Sequence, residues 1–83
     1  MTTVTVDGIT YLFIEHALTR MRKQRITLAM VETVLLDPDR NEISKSSGNI
    51  LYVRRAWDWQ YPLQVVVDED DRLIISAHWL TPL

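Results

Sequence analysis

Two apolar segments near the C-terminus, joined by a short acidic run, leave this chain few possible folds. In the first segment every second residue is a large aliphatic one (Leu63, Val65 and Val67), which is typical of a strand with one buried face. The second segment, residues 73–79, is equally rich in strand-forming residues. Residues 69–71 between them are all acidic and indicate a turn. The two segments therefore predict a β-hairpin.

Strict alternation divides the side chains of the last predicted strand between two faces. We expect one face to hold Leu73, Ile75, Ala77 and Trp79, and the other to hold Ile74, Ser76 and His78. Residues 50–55 predict a further strand. The polar residues 39–49 predict a connecting loop, with its turn at residues 46–49.

A first helix is predicted from Glu15 onward. On a helical projection, three charged or titratable residues, His16, Arg20 and Lys23, fall within an arc about 60° wide. Apolar side chains occupy a different arc of about 100°; they are Ile14, Ala17, Leu18 and Met21. One face of the helix is therefore expected to face the core, and another to present an imidazole and two cations.

A second helix is predicted from Leu28 to Leu36. Thr27 is a good N-cap, because its hydroxyl can accept a hydrogen bond from an unpaired N–H of the first turn. The helix should end before Pro38, since the residue preceding a proline is disfavoured in helical geometry. The short connection to the first helix predicts an antiparallel helical hairpin.

The order of elements predicts the α+β class. A short N-terminal β element, with a turn at Asp7-Gly8, precedes a two-helix hairpin packed on a three- to four-stranded antiparallel sheet. Residues 1–83 are too few to divide further, so we expect a single domain.

Charge and cysteine content narrow the functional classes. The net charge of −2 makes the chain as a whole a poor generic binder of nucleic acid. The charges are segregated, however, with cations concentrated in residues 20–25 and anions in residues 68–71. The sequence contains no cysteine, which excludes cysteine-based catalysis and favours a reducing compartment. With no signal peptide or long apolar run recognised, we expect a cytoplasmic protein that does not enter the membrane.

The segment from His16 to Ile26, HALTRMRKQRI, resembles the signature of a family of small bacterial proteins of unknown function within the RelE/ParE/BrnT-like toxin superfamily. That family has His-Ala, an arginine three residues after the alanine, then Arg-Gly-Ile and a helix that ends near a proline. Here Val31, Val34, Leu35 and Pro38 continue the pattern, and the similarity extends over roughly residues 13–79. The resemblance implies a RelE-like fold.

Two consecutive positions depart from that pattern. Where the family has Arg-Gly before the isoleucine, this chain has Gln24-Arg25. A glycine would permit a left-handed residue at the end of the first helix, and we expect Arg25 to do without that freedom. The missing arginine is either replaced by Arg25 or absent from the site.

The resemblance implies the toxin half of a toxin–antitoxin pair, with metal-independent RNA cleavage as its chemistry and no cofactor. Such cleavage needs a base for the ribose 2′-hydroxyl, positive charge at the phosphate and an acid for the leaving oxygen. The expected catalytic residues are His16, Arg20 and His78. The expected substrate-binding residues are Lys23, Arg25, Arg54 and Arg55.

Each of these residues also has a structural interpretation. His16 and His78 can fasten their elements through ring hydrogen bonds, Arg20 can pair with an acid, and the cations of residues 20–25 can form a solvated helix face. A second functional hypothesis is a non-enzymatic interaction module on the same scaffold. A third is a ParE-like topoisomerase inhibitor, which would be toxic without cutting RNA.

The segment 57–61 holds three aromatic residues, Trp57, Trp59 and Tyr61, in a predicted loop. Loops normally lie on the surface, so these side chains are candidates for a partner interface, either with a cognate antitoxin or in self-association. They are also candidates for stacking on RNA bases. The remaining alternative is that one of the tryptophans folds back to cap the core. No metal-binding motif is recognised in the sequence.

Overall fold

The computed structural model describes residues 1–82, which form two helices on a six-stranded mixed sheet. In chain order the elements are β1 (Thr3–Val6), β2 (Ile9–Phe13), α1 (Glu15–Gln24), α2 (Leu28–Leu36), β3 (Arg40–Ile43), β4 (Ile50–Arg54), β5 (Leu63–Asp68) and β6 (Leu73–Trp79). The strand order across the sheet is β1-β2-β6-β5-β4-β3. The α+β class, both helices and the β5–β6 hairpin are confirmed.

The sheet is larger than predicted, and it is not purely antiparallel. The N-terminal hairpin joins it because β2 runs parallel to β6, pairing Leu12 with Leu73 and Phe13 with Ile74. The prediction that residues 39–49 form only a loop is also wrong, since β3 pairs antiparallel with β4. All four residues of β3 are exposed. An edge strand needs only backbone hydrogen bonds on one side, so no apolar alternation marked it in the sequence.

A β-bulge overturns the predicted division of β6 into two faces. Val67 pairs with Ile74, but Val66 pairs with Ser76, so Ile75 is an extra residue in β6. An extra residue reverses the alternation that follows it. The core face of β6 therefore holds Ile74, Ala77 and Trp79, opposite Val67, Val65 and Leu63, whereas Leu73, Ser76 and His78 lie on the other face.

The core lies between the helices and one face of the sheet. Its most completely buried large side chains are Leu63, Ile74, Val31, Val34, Val65 and Val67. Helix α1 lies along β6, and α2 contacts β1, β4 and β5. Because three strands separate β1 from β4, the sheet must curl around α2. Strand β2 pairs only with Leu73 and Ile74 of β6. Helix α1 lies beside the remaining residues of β6, which do not pair with β2.

Local signals determine the turns and caps as predicted. Asp7 and Gly8 both have positive φ angles (50° and 81°), as a two-residue hairpin turn requires. The Thr27 hydroxyl accepts from the backbone N–H of Met30 at 3.2 Å. Helix α2 then ends at Leu36, ahead of Asp37 and Pro38.

Helix α1 ends in the left-handed conformation that a glycine would adopt most easily. Arg25 has φ 59° and ψ 37°, and its N–H bonds back to the carbonyl of Arg22. Arg25 thus adopts the left-handed geometry that the family glycine would supply. The expectation that Arg25 would not have this geometry is therefore wrong. A non-glycine residue in this region costs about 1–2 kcal/mol.

We expect Arg25→Gly to raise the free energy of unfolding. Relief of the left-handed strain exceeds the extra chain entropy that a glycine loses, so the net gain should be about 0.5–1 kcal/mol. Urea unfolding measures it. Arg22→Gly, in the helical part of α1, is the matched control and should lose about 1 kcal/mol. Equal losses in both variants would contradict the strain at Arg25.

Candidate functional site

A polar groove runs between α1 and the free edge of β6. One part of it, about 340 Å³, is lined by Arg20, Gln24, Ser76, Ala77 and His78. The other part, about 430 Å³, is a depression on α1 alone, lined by His16, Thr19, Arg20, Lys23 and Gln24. Arg20 and Gln24 belong to both parts. The structure therefore brings together four of the predicted site residues: His16, Arg20, Lys23 and His78.

Gln24 builds the groove by completing the edge of β6. Its amide nitrogen donates to the carbonyl of Ala77 at 3.4 Å, and its amide oxygen accepts from the backbone N–H of Trp79 at 3.4 Å. The backbone carbonyl of Gln24 accepts from the indole N–H of Trp79 at 3.1 Å. Beyond the two residues that pair with β2, the side chain of Gln24 thus takes the place of a neighbouring strand. The contact holds α1 at a set distance from His78.

His78 is half-buried on the outer face of β6. Burial lowers the pKa of its imidazole, and the nearby guanidinium of Arg20 lowers it further. Its Nε2 lies 3.3 Å from the side-chain amide nitrogen of Gln64 on β5. The fold therefore favours the neutral imidazole, and Nδ1 is the nitrogen left for other contacts.

Arg20, His16 and Lys23 are exposed on the groove side of α1. None of the three forms an ion pair with another residue in the range 1–82. The acidic turn at residues 69–71 lies at the opposite end of β6, roughly 20 Å from His78 at about 3.3 Å per strand residue. That separation exceeds twice the Debye length of about 8 Å at physiological salt. The groove is therefore locally cationic although the chain is acidic.

The other three predicted cations do not line the groove. Arg54 forms an ion pair with Asp37 at 3.2 Å and also donates to the Asp37 carbonyl. Arg55 donates from Nε to the carbonyl of Trp59 at 3.0 Å. Arg25 is exposed at the end of α1. Arg54 thus ties β4 to the end of α2, and Arg55 holds the β4–β5 connection in place.

The three aromatic residues of the segment 57–61 have different environments. Trp57 is 94% exposed at the tip of a tight turn. Trp59 packs against the core and meets Trp79 edge to face, with ring centroids 5.7 Å apart. Tyr61 is half-buried and lines a cleft of about 320 Å³ with Gln60, Trp79 and Thr81. Trp59 therefore caps the core, whereas the side chain of Trp57 is exposed to solvent.

Sequence reasoning missed two sets of residues that organise the structure. Gln24 and Gln64 position α1 and His78, but an isolated glutamine gives no sequence signal. Glu69, predicted only as a turn residue, accepts from the hydroxyls of Tyr52 at 2.5 Å and Tyr11 at 3.2 Å. Burial raises the pKa of both tyrosines, and the Glu69 carboxylate raises it further. This cluster closes the core at the β5–β6 turn.

Residues 1–82 contain no group of three or more His, Asp or Glu side chains placed to hold a metal ion. Neither helix in that range has the length and apolar character needed to cross a lipid bilayer. No family model, no curated protein and no solved structure matches the sequence or the fold.

Proposed function

We propose that the chain binds single-stranded RNA in the α1–β6 groove and cleaves it there, as the toxin of a toxin–antitoxin pair. The observation that supports this best is the meeting of Arg20 and His78, which are far apart in sequence, in one groove. A cation with no ion pair within residues 1–82 and a half-buried imidazole are what phosphodiester cleavage requires. The toxin role and the RelE-like fold rest on the resemblance of residues 13–79.

The proposed roles follow from charge and position. Arg20 holds the phosphate, because its planar guanidinium offers two parallel donors, and Lys23 adds positive charge one helical turn away. His78 is neutral near pH 7 and takes the proton of the ribose 2′-hydroxyl. That requires Nδ1 to bear the lone pair, with the Gln64 amide turned so that its oxygen accepts from Nε2–H.

The reaction then balances without a metal ion. The 2′-oxygen forms a bond to phosphorus while the bond to the 5′-oxygen breaks, which leaves a 2′,3′-cyclic phosphate. The leaving 5′-oxygen takes a proton from His16, at the other end of the same groove. Arg20, shared by both parts of the groove, lies where charge builds up on the phosphoryl oxygens.

Arg20→Ala should remove growth arrest in a bacterial host and weaken RNA binding. Arg22→Ala is the matched control, because Arg22 lies on α1 with the same charge but lines a different cleft. With one phosphate contacted by each of the two groove cations, Arg20 and Lys23, log K against log salt should have a slope of about −1.4 for single-stranded RNA. The Arg20 variant should lose about 0.7 of that slope, and the Arg22 variant none. Growth, cleavage of total RNA and the salt slope are the measurements.

Equal toxicity of the Arg20 variant and the wild type would remove Arg20 from the mechanism. Arrest without new RNA ends would favour the topoisomerase inhibitor. Healthy growth with abundant folded protein would favour the interaction module, for which the specific observation is the 94% exposure of Trp57.

A further inference from the structure

We propose that the β4–β5 turn is a self-complementary interface, in which Trp57 of one copy inserts into the cleft lined by Tyr61, Trp79 and Thr81 of a second copy. This inference does not depend on the RNA chemistry proposed above. It concerns the end of the sheet where β4 and β6 finish and β5 begins.

The backbone of the turn that carries the projecting side chain is fixed by hydrogen bonds. The N–H of Trp59 bonds to the carbonyl of Ala56 at 3.0 Å, which closes a tight turn with Trp57 at its tip. The Arg55 side chain braces the turn from outside by donating to the Trp59 carbonyl at 3.0 Å. A large aromatic presented on a fixed backbone loses little entropy on binding, which is the property of an interface anchor.

The receiving cleft is also preformed. Trp79, one of its walls, is held by its indole N–H to the Gln24 carbonyl and by the ring of Trp59. The cleft measures about 320 Å³ and adds Gln60 and Thr81 to its aromatic lining. Its size suits a single large side chain, and its amide and hydroxyl groups can accept from an indole N–H.

The distance between the projection and the cleft favours a second copy of this chain as the occupant. Gln60 lines the cleft and is three residues from Trp57, so their Cα atoms are at most roughly 11 Å apart. A two-fold axis close to both features lets each copy insert its Trp57 into the other, and the contact closes as a dimer. Opposite charges also flank the two features, because Asp58 follows Trp57 in the chain and Arg25 follows Gln24, whose carbonyl accepts from the indole of Trp79.

The expected dimer is weak. Each Trp side chain buries on the order of 150–250 Å², so two insertions, counted on both partners, bury roughly 600–1,000 Å². Stable interfaces bury about 1,200 Å² or more. We therefore expect a dissociation constant on the order of 100 μM and rapid exchange.

Sedimentation velocity from about 10 μM to 1 mM, a range that brackets this affinity, tests the interface. The wild type should pass from monomer to dimer. Trp57→Ala removes the projection and Thr81→Glu obstructs the cleft, so both should remain monomeric. Ile43→Ala, which truncates another exposed apolar residue on the outermost strand, should dimerise like the wild type.

Three outcomes would overturn the inference: a wild type that stays monomeric at 1 mM, dimers that persist in Trp57→Ala, or equal loss of dimer in Ile43→Ala. The two diagnostic positions are exposed, so both variants should fold, and circular dichroism checks this. Impaired RNA binding in Trp57→Ala, with no self-association of the wild type, would assign the surface to nucleic acid and reject the dimer.

Discussion

His78→Gln is expected to slow cleavage of single-stranded RNA by about 10²–10⁴-fold, the contribution of a positioned general base. Glutamine retains a polar side chain that can still bond to Gln64, so the free energy of unfolding should change little. Ser76→Ala, in the same groove, is the control and should retain the wild-type rate. The measurement is the cleavage rate of a short RNA, together with urea unfolding of each variant. An unchanged rate in His78→Gln would place the base elsewhere.

The pH dependence of the same rate tests the role of His78 independently. Burial and then Arg20 lower the pKa of this imidazole, and the neutral form is the active base. Cleavage should therefore persist to lower pH than an ordinary histidine, with a pKa near 6.5, would allow. In Arg20→Lys the positive charge remains, so the acidic limb of the pH–rate profile, where cleavage falls as His78 becomes protonated, should hardly move. In Arg20→Ala the pKa should rise, and the limb should shift to higher pH in whatever activity remains.

The same shift links the stability of the fold to pH. The folded state binds the His78 proton more weakly than the unfolded chain does. Between the lowered pKa and about 6.5 the unfolded state is the more protonated one, so stability rises with pH through this window. The contribution of His78 to the free energy of unfolding is complete above the pKa that His78 has in the unfolded chain. It is lost as the pH falls through the lowered pKa of the folded state. In His78→Gln this dependence should disappear.

Gln24→Glu is expected to lower the free energy of unfolding by about 1–3 kcal/mol at pH 7, because it leaves half-buried backbone groups unpaired. A carboxylate cannot donate, so the carbonyl of Ala77 would lose its side-chain donor and both it and the carbonyl of Arg20 would face a negative charge. The matched control is Gln60→Glu, which makes the same change of charge at an exposed position whose side-chain amide donates to the hydroxyl of Tyr61. It should change stability by less than about 0.5 kcal/mol.

Urea unfolding of the two glutamate variants measures the difference. Trp79 is held by Gln24, so its environment should change in Gln24→Glu, and near-ultraviolet circular dichroism reports it. Equal stability of the two variants would show that the side chain of Gln24 does not complete the edge of β6. Gln24 would then not be the residue that sets the distance between α1 and His78 in the groove.

Local elements were predictable because local chemistry determines them. Helix α2 begins and ends where Thr27 and Pro38 indicate, since a cap and a proline act within one turn of the chain. The shared face of His16, Arg20 and Lys23 follows from the helical repeat alone. The first turn, Asp7-Gly8, has the two positive φ angles its sequence requires.

Contacts between distant segments were not predictable in the same way. The inserted residue Ile75 in β6 reverses which side chains face the core, and alternation cannot reveal an insertion within a run of three apolar residues, Leu73-Ile74-Ile75. The parallel pairing of β2 with β6 depends on a match between residues that are 61 positions apart in the chain, such as Leu12 and Leu73. Arg54 and Arg55 looked like substrate ligands by charge, but the tertiary structure pairs them with Asp37 and the Trp59 carbonyl.

From sequence alone, this chain is an α+β domain with a cationic helix face beside an apolar one, because backbone capping and helical periodicity are local properties. The tertiary structure alone places His78 opposite Arg20 and leaves Trp57 in solvent while Trp59 packs inward. Those placements depend on the β-bulge, on the curl of the sheet around α2 and on one glutamine that completes a strand edge. Each of these is a contact between segments whose partners cannot be read from either segment alone.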